Sequence, residues 1–252
     1  MQHFVNKHSI VRQIWGKADT VLFIFAGSAA EFALNKAVDW LYFTGKLPSD
    51  PLGRLFSTVE YARKIIFADV DGANRAIDQI TAIHKNVEAG RGAQIPDWAY
   101  RDVLFMLIDY SIRSFEVLER ELTNKEQNEV FDVFYRVGLR MGLTGLPENY
   151  AQWQNMRYRH LQNNLINSHF TKDLYIQYRK HLGGIRYHLL KQVQKHIVPK
   201  RVKELLGFGS FAYLPPILWL YKLSRNIKLD RILKETLLPT KYKAQIKQLD
   251  AV

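Results

Sequence analysis

The sequence predicts an all-α fold, a single globular domain of roughly eight to ten helices, on three observations. No stretch alternates apolar and polar residues with the period of two that a half-buried strand needs. Helix start and stop signals punctuate the chain: Asp50-Pro51, Asp69 to Gly72, Gly90-Arg91-Gly92, Thr123 with Glu126, Pro147 and Pro199. No internal repeat and no long polar linker divides it.

The elements follow in order. Lys17 to Phe43 is apolar and carries Ala26-Gly27-Ser28-Ala29-Ala30, small residues that let another helix approach closely. A loop from Gly45 to Asp50 holds Pro48; Asp50 is a natural N-cap and Pro51 an N1 proline for a helix to about Ala68. Asp69-Val70-Asp71-Gly72 caps the next helix, which Gly90-Arg91-Gly92 ends after about Ala89. Pro96 opens a long helix to about Leu122, and Thr123 with Glu126 three residues on forms a capping box for a helix ending near Gly142. Gly145-Leu146-Pro147 closes that segment. Helices over 148–167 and 171–195 come next, then a short basic helix from Pro199 through Leu206 and a turn at Gly207-Phe208-Gly209. Pro215-Pro216 interrupts an apolar, aromatic stretch from Phe211 to Leu223.

Composition bounds the chemistry. With no cysteine, disulfides, thiolate ligation of haem, iron–sulfur clusters and cysteine-based zinc sites are excluded. The first 16 residues show no signal-peptide pattern, and the longest apolar run, Val21 to Ala30, is stopped by Glu31 short of a bilayer span. These features lead us to expect a soluble, cytoplasmic, membrane-peripheral protein. Charge is unevenly spread: residues 1–149 carry 17 basic and 19 acidic side chains, residues 150–252 carry 19 and 5. We read residues 1–149 as the core and 150–252 as basic C-terminal helices of the same domain, the charge break near residue 150 leaving a two-subdomain reading open. A basic half can meet nucleic acid, an anionic membrane surface or acidic ligands, or be a solvated basic face. No nucleic-acid recognition module is present, and nucleic acid is not an expected partner.

Arg54 and Thr58 stand four apart and share a helix face with Tyr61 and Ile65. His84 lies on an apolar stripe with Ile77, Ile80 and Val87. Taken alone, the three are an arginine near a helix start, a threonine bonding its own backbone and a hydrogen-bonded core histidine, or they are parts of a ligand site; the spacing leaves both open. Elsewhere no His-Glu-x-x-His, di-iron Glu-x-x-His pair, phosphate loop, dinucleotide fingerprint or nucleophile elbow occurs. The mixed charges over 97–121 read as an ion-paired helix face, with Asp109 and Arg113 the internal pair.

Five elements in order resemble the oxygenase-type domain shared by fungal mycophenolate-pathway oxygenases and bacterial latex-clearing (rubber oxygenase) proteins, over roughly residues 12–240. They are Ile14-Trp15-Gly16; Asp50-Pro51-Leu52-Gly53 with the Arg-x-x-x-Thr element Arg54 to Thr58; Ile65 to Asp69 with His84-Lys85-Asn86-Val87-Glu88-Ala89-Gly90; the helix from Trp98 with Tyr135 to Gly142 and Leu146-Pro147; and Val198 to Arg201 with Leu206-Gly207-Phe208. The resemblance implies an enzyme, an oxygenase with haem b as cofactor. His84 would be the axial iron ligand, Arg54 and Thr58 would lie at the haem and take part in catalysis, and dioxygen would oxidise an apolar, lipid-like or isoprenoid-like substrate. The rubber oxygenases carry a distal lysine where this chain has Ser57, which is no strong sixth ligand. Their catalytic glutamate has Asp39 as its nearest acidic counterpart here.

Physical chemistry agrees with these assignments. A neutral imidazole on a rigid helix is a good iron ligand, and the guanidinium fork of Arg54 matches a haem propionate. The competing expectation is a non-catalytic helical protein resting on anionic membranes through Phe211 to Leu223 and the cluster Lys200, Arg201, Lys203.

Overall fold

The computed structural model describes residues 2–45 and 49–209, the Leu55 side chain excepted. Pro48 and the Phe211–Leu223 stretch lie outside the described residues. Within them the fold is all-α, with ten helices: α1 Ile10–Trp15, α2 Ala18–Phe32, α3 Val38–Phe43, α4 Pro51–Phe67, α5 Val70–Arg91, α6 Asp97–Leu118, α7 Asn124–Arg140, α8 Tyr150–Asn163, α9 His169–Ile197 and α10 Lys200–Leu205.

The caps form as the residue types dictate. Asp50 accepts the Gly53 N–H, Asp69 accepts the Gly72 N–H, and Thr123 and Glu126 cap α7 reciprocally. Gly92 ends α5 in the left-handed region at φ 68°.

Two apolar helices, α2 and α6, pack along each other at the centre. Gly27 makes this approach close: a Cβ there would stand 2.3 Å from the Tyr110 ring. α9 covers α2, while α7 and α8 flank α6. α4 and α5 form an antiparallel pair, α4 lying against α1, α2 and α9, and α5 against α7. Trp15, Ile24, Ile66, Ile77, Phe105 and Tyr110 are fully buried between these layers.

The structure refines three boundaries. Lys17 to Phe43 is two helices rather than one, because the chain turns at Asn35. The Asn35 side-chain oxygen accepts the Ala37 N–H, its amide donates to Asp102, and the 164–166 segment bonds Leu34 and Lys36. α6 stops at Leu118, four residues early, and the intervening Leu122 N–H goes to the Glu116 carboxylate. α9 is kinked at Gly183, where φ is 74°.

The uneven charge along the sequence is partly neutralised inside the fold. Arg157 of α8, 5% exposed, bonds both Glu31 of α2 and Asp109 of α6. Asp109 also pairs with Arg113 at 2.6 Å, the internal pair expected from the sequence, and Tyr110 donates to Glu31 at 2.8 Å. One turn further along the same interface, His160 pairs with Asp102, which also accepts from Asn35 and Asn164. The basic second half is thus bolted to the acidic first half through buried, fully hydrogen-bonded ions.

Candidate functional site

The antiparallel α4–α5 pair brings the start of one helix to the end of the other. Arg54 sits in the first turn of α4 and His84 two turns before the C-terminus of α5, so residues 30 apart in sequence become neighbours. The neighbourhood is electrostatic as well as spatial. Burial, then the positive charge of Arg54, lower the His84 pKa to about 4, with Glu88 opposing. The imidazole is therefore neutral at physiological pH.

The Nδ1 atom of His84 is buried and has no hydrogen-bond partner among the described residues. A buried polar atom without a partner costs free energy, about 1–3 kcal/mol, and calls for an explanation. Arg54 is similarly placed. Its guanidinium donates to the Ser57 hydroxyl at 3.2 Å and has no carboxylate partner among the described residues, and burial lowers its pKa. The Ser57 hydroxyl in turn donates to the Arg54 carbonyl at 2.8 Å, so serine orients the arginine.

Thr58 lies beside them on α4, its hydroxyl donating to the Arg54 carbonyl at 3.3 Å. Asp39 is on α3, where it forms an ion pair of 2.8 Å with Arg91, two turns beyond His84 on α5. Arg91 stacks over the Trp40 ring at 4.0 Å from its centroid. The structure therefore joins Arg54, Ser57 and Thr58 with His84 and ties Asp39 to a separate cation.

Two residues beside the site escaped the sequence reading. Tyr100 of α6 meets the His84 ring edge-on, 5.1 Å between centroids, and donates its hydroxyl to Glu88 at 3.0 Å. Glu88 stands one turn after His84, a spacing that could have flagged it. Nothing in the sequence brings Tyr100 there, because the contact depends on how the α5–α6 connection turns.

Among the described residues, no three His, Cys, Asp or Glu side chains gather as a metal site. A prosthetic group that carries its own ring ligands needs only one protein side chain, and His84 offers one.

A family model described as ER-bound oxygenase mpaB/B'/Rubber oxygenase, catalytic domain, matches residues 14–220. The chain belongs to this family. The match spans all the helices that build the site, α4, α5 and α6, and covers the basic half through α10. No curated protein and no solved structure matches the chain. As an oxygenase-family member it implies dioxygen and an oxidisable substrate. Among the described residues no helix is long and apolar enough to cross a membrane.

Proposed function

We propose that this chain is a haem b-dependent oxygenase acting with dioxygen on an apolar, isoprenoid-like substrate, with His84 as the axial ligand. The observation that carries the reading is a neutral imidazole whose buried nitrogen is unpartnered among the described residues, next to a half-buried guanidinium with no carboxylate among them. These are the two things a haem pocket lacks before haem arrives: a free lone pair for iron and a cation for a propionate. The residues fit the group.

Haem b, when bound, supplies the iron centre for dioxygen chemistry. The chain's own residues do the rest. His84 presents a lone pair without first releasing a proton, because its pKa is near 4. Arg54, turned by Ser57, offers two parallel N–H donors to a carboxylate. Thr58 can rotate its hydroxyl from the Arg54 carbonyl toward a bound acceptor. Ser57 carries a hydroxyl and no amine, so it would supply no strong ligand to a bound iron. Asp39, committed to Arg91, holds the end of α5 in place instead of serving as a base.

The test is the visible spectrum of the purified protein with haem content from the pyridine haemochrome. The expected result is a Soret band at about one haem per chain, lost in His84→Ala with helicity unchanged. A pigmented His84→Ala protein with the wild-type spectrum would overturn the assignment.

A second reading, compatible with the first, is peripheral contact with anionic membranes in the cytoplasm. It is favoured by α9, where Ile176 and Ile185 are 63% and 78% exposed and Arg179 and Lys180 are exposed between them. Salt-sensitive co-sedimentation with anionic but not neutral vesicles is the expected result. Equal binding to both would remove it.

A further inference from the structure

We propose that Glu88 and Tyr100 form the positioning pair for the His84 imidazole, an inference that rests on His84 being the axial ligand. An axial imidazole has to be held at one rotation of its ring, commonly by a hydrogen bond to the nitrogen that does not bind metal. Among the described residues neither ring nitrogen of His84 makes such a bond, the buried Nδ1 included. A ring contact stands in that place. Tyr100 meets the imidazole at 70°, the edge-to-face geometry that aromatic pairs prefer.

Tyr100 is itself fixed at its far end. Its hydroxyl donates to Glu88 Oε1 at 3.0 Å, and the same oxygen accepts the Ile95 N–H at 2.9 Å. The Glu88 main chain completes the brace: its carbonyl accepts the Ala93 N–H at 3.2 Å, just past the left-handed Gly92 that ends α5. One residue therefore ties the α5–α6 connection to α5 by main chain and side chain together. The tyrosine so anchored lies against the histidine one turn back. Neither residue touches a reacting atom; the pair acts by holding a ligand on a rigid shell.

The test is haemin titration of the haem-free full-length protein, followed at the Soret band, alongside NMR of the His84 ring C–H resonances without haem. Tyr100→Phe keeps the ring and loses the anchor. Glu88→Ala loses the anchor's acceptor, and Glu88→Gln keeps an oxygen able to accept both bonds. Tyr100→Phe and Glu88→Ala should weaken haemin binding by about 10-fold or more and shift the His84 resonances. Glu88→Gln should stay near wild type in both. Wild-type affinity and unshifted resonances in Tyr100→Phe and Glu88→Ala, with binding abolished in His84→Ala, would overturn the positioning role alone. Unchanged binding in His84→Ala would overturn the axial-ligand reading and the pair's role with it.

Discussion

Two arginines in this molecule, one buried and one half-buried, live opposite lives. Arg157 lies between Glu31 and Asp109, and those carboxylates hold its pKa well above the usual value despite burial. Arg54 has a serine hydroxyl for company, and burial lowers its pKa. The histidines repeat the contrast: His160 bonds the Asp102 carboxylate, while the Nδ1 of His84 has no partner among the described residues. Where every polar atom has a partner, the chemistry is finished and the role is to join helices. Where, among the described residues, a half-buried cation has no carboxylate and a buried ring nitrogen has no partner, folding has left interactions unmade, and a ligand can make them.

The largest effect should come from breaking the satisfied side. Arg157→Met removes the cation shared by two buried carboxylates, leaving Glu31 with Tyr110 alone, and should cost about 3–5 kcal/mol in denaturant unfolding. A loss below about 1 kcal/mol would mean the network is not closed by this arginine. Gly27→Ala drives a Cβ into the Tyr110 ring and should cost about 1–3 kcal/mol by the same measurement, the α2–α6 packing being unable to yield cheaply.

The open side should respond to pH. The His84 pKa, about 4 in the folded protein, lies below its unfolded value near 6.5. Below that unfolded value the denatured chain binds a proton that the native imidazole refuses. Stability is therefore lost as pH falls from about 6.5 toward 4, by on the order of 2 kcal/mol. In the haem-free protein, His84→Leu should flatten the stability profile over that window. An unchanged acid limb in the variant would show that another group sets it.

The smallest effect is the most diagnostic. Arg54→Met removes a half-buried cation that has no carboxylate among the described residues, so the haem-free protein should keep its stability or gain about 1 kcal/mol. Haemin binding should weaken in the same variant. The opposite signs of Arg54→Met and Arg157→Met in thermal unfolding would separate ligand site from scaffold; a loss of similar size in both would erase the distinction.

The fold was legible because its signals are local. Asp50, Asp69, Thr123 with Glu126, and Gly92 each cap a helix through atoms within a few residues. The break at Asn35 was not, because its partners Asp102 and Asn164 come from distant helices. The site divides the same way. Arg54, Thr58 and His84 stood out by position and by family likeness, and the α4–α5 pair unites them. Glu31 and Arg157, 126 residues apart, carry no local mark of their pairing. Tyr100 reaches His84 only through the turn between α5 and α6. Asp39 looked available in sequence, yet Arg91 holds it.

The most direct measurement is the change in melting temperature on adding haemin to the haem-free protein and to His84→Ala. Ligand that binds the native state stabilises it by mass action, about 2.7 kcal/mol at 100 times Kd. Wild type should therefore melt several degrees higher with haemin, and His84→Ala should not move. An equal rise in both would place haemin somewhere other than the unpartnered nitrogen of His84 and contradict the account.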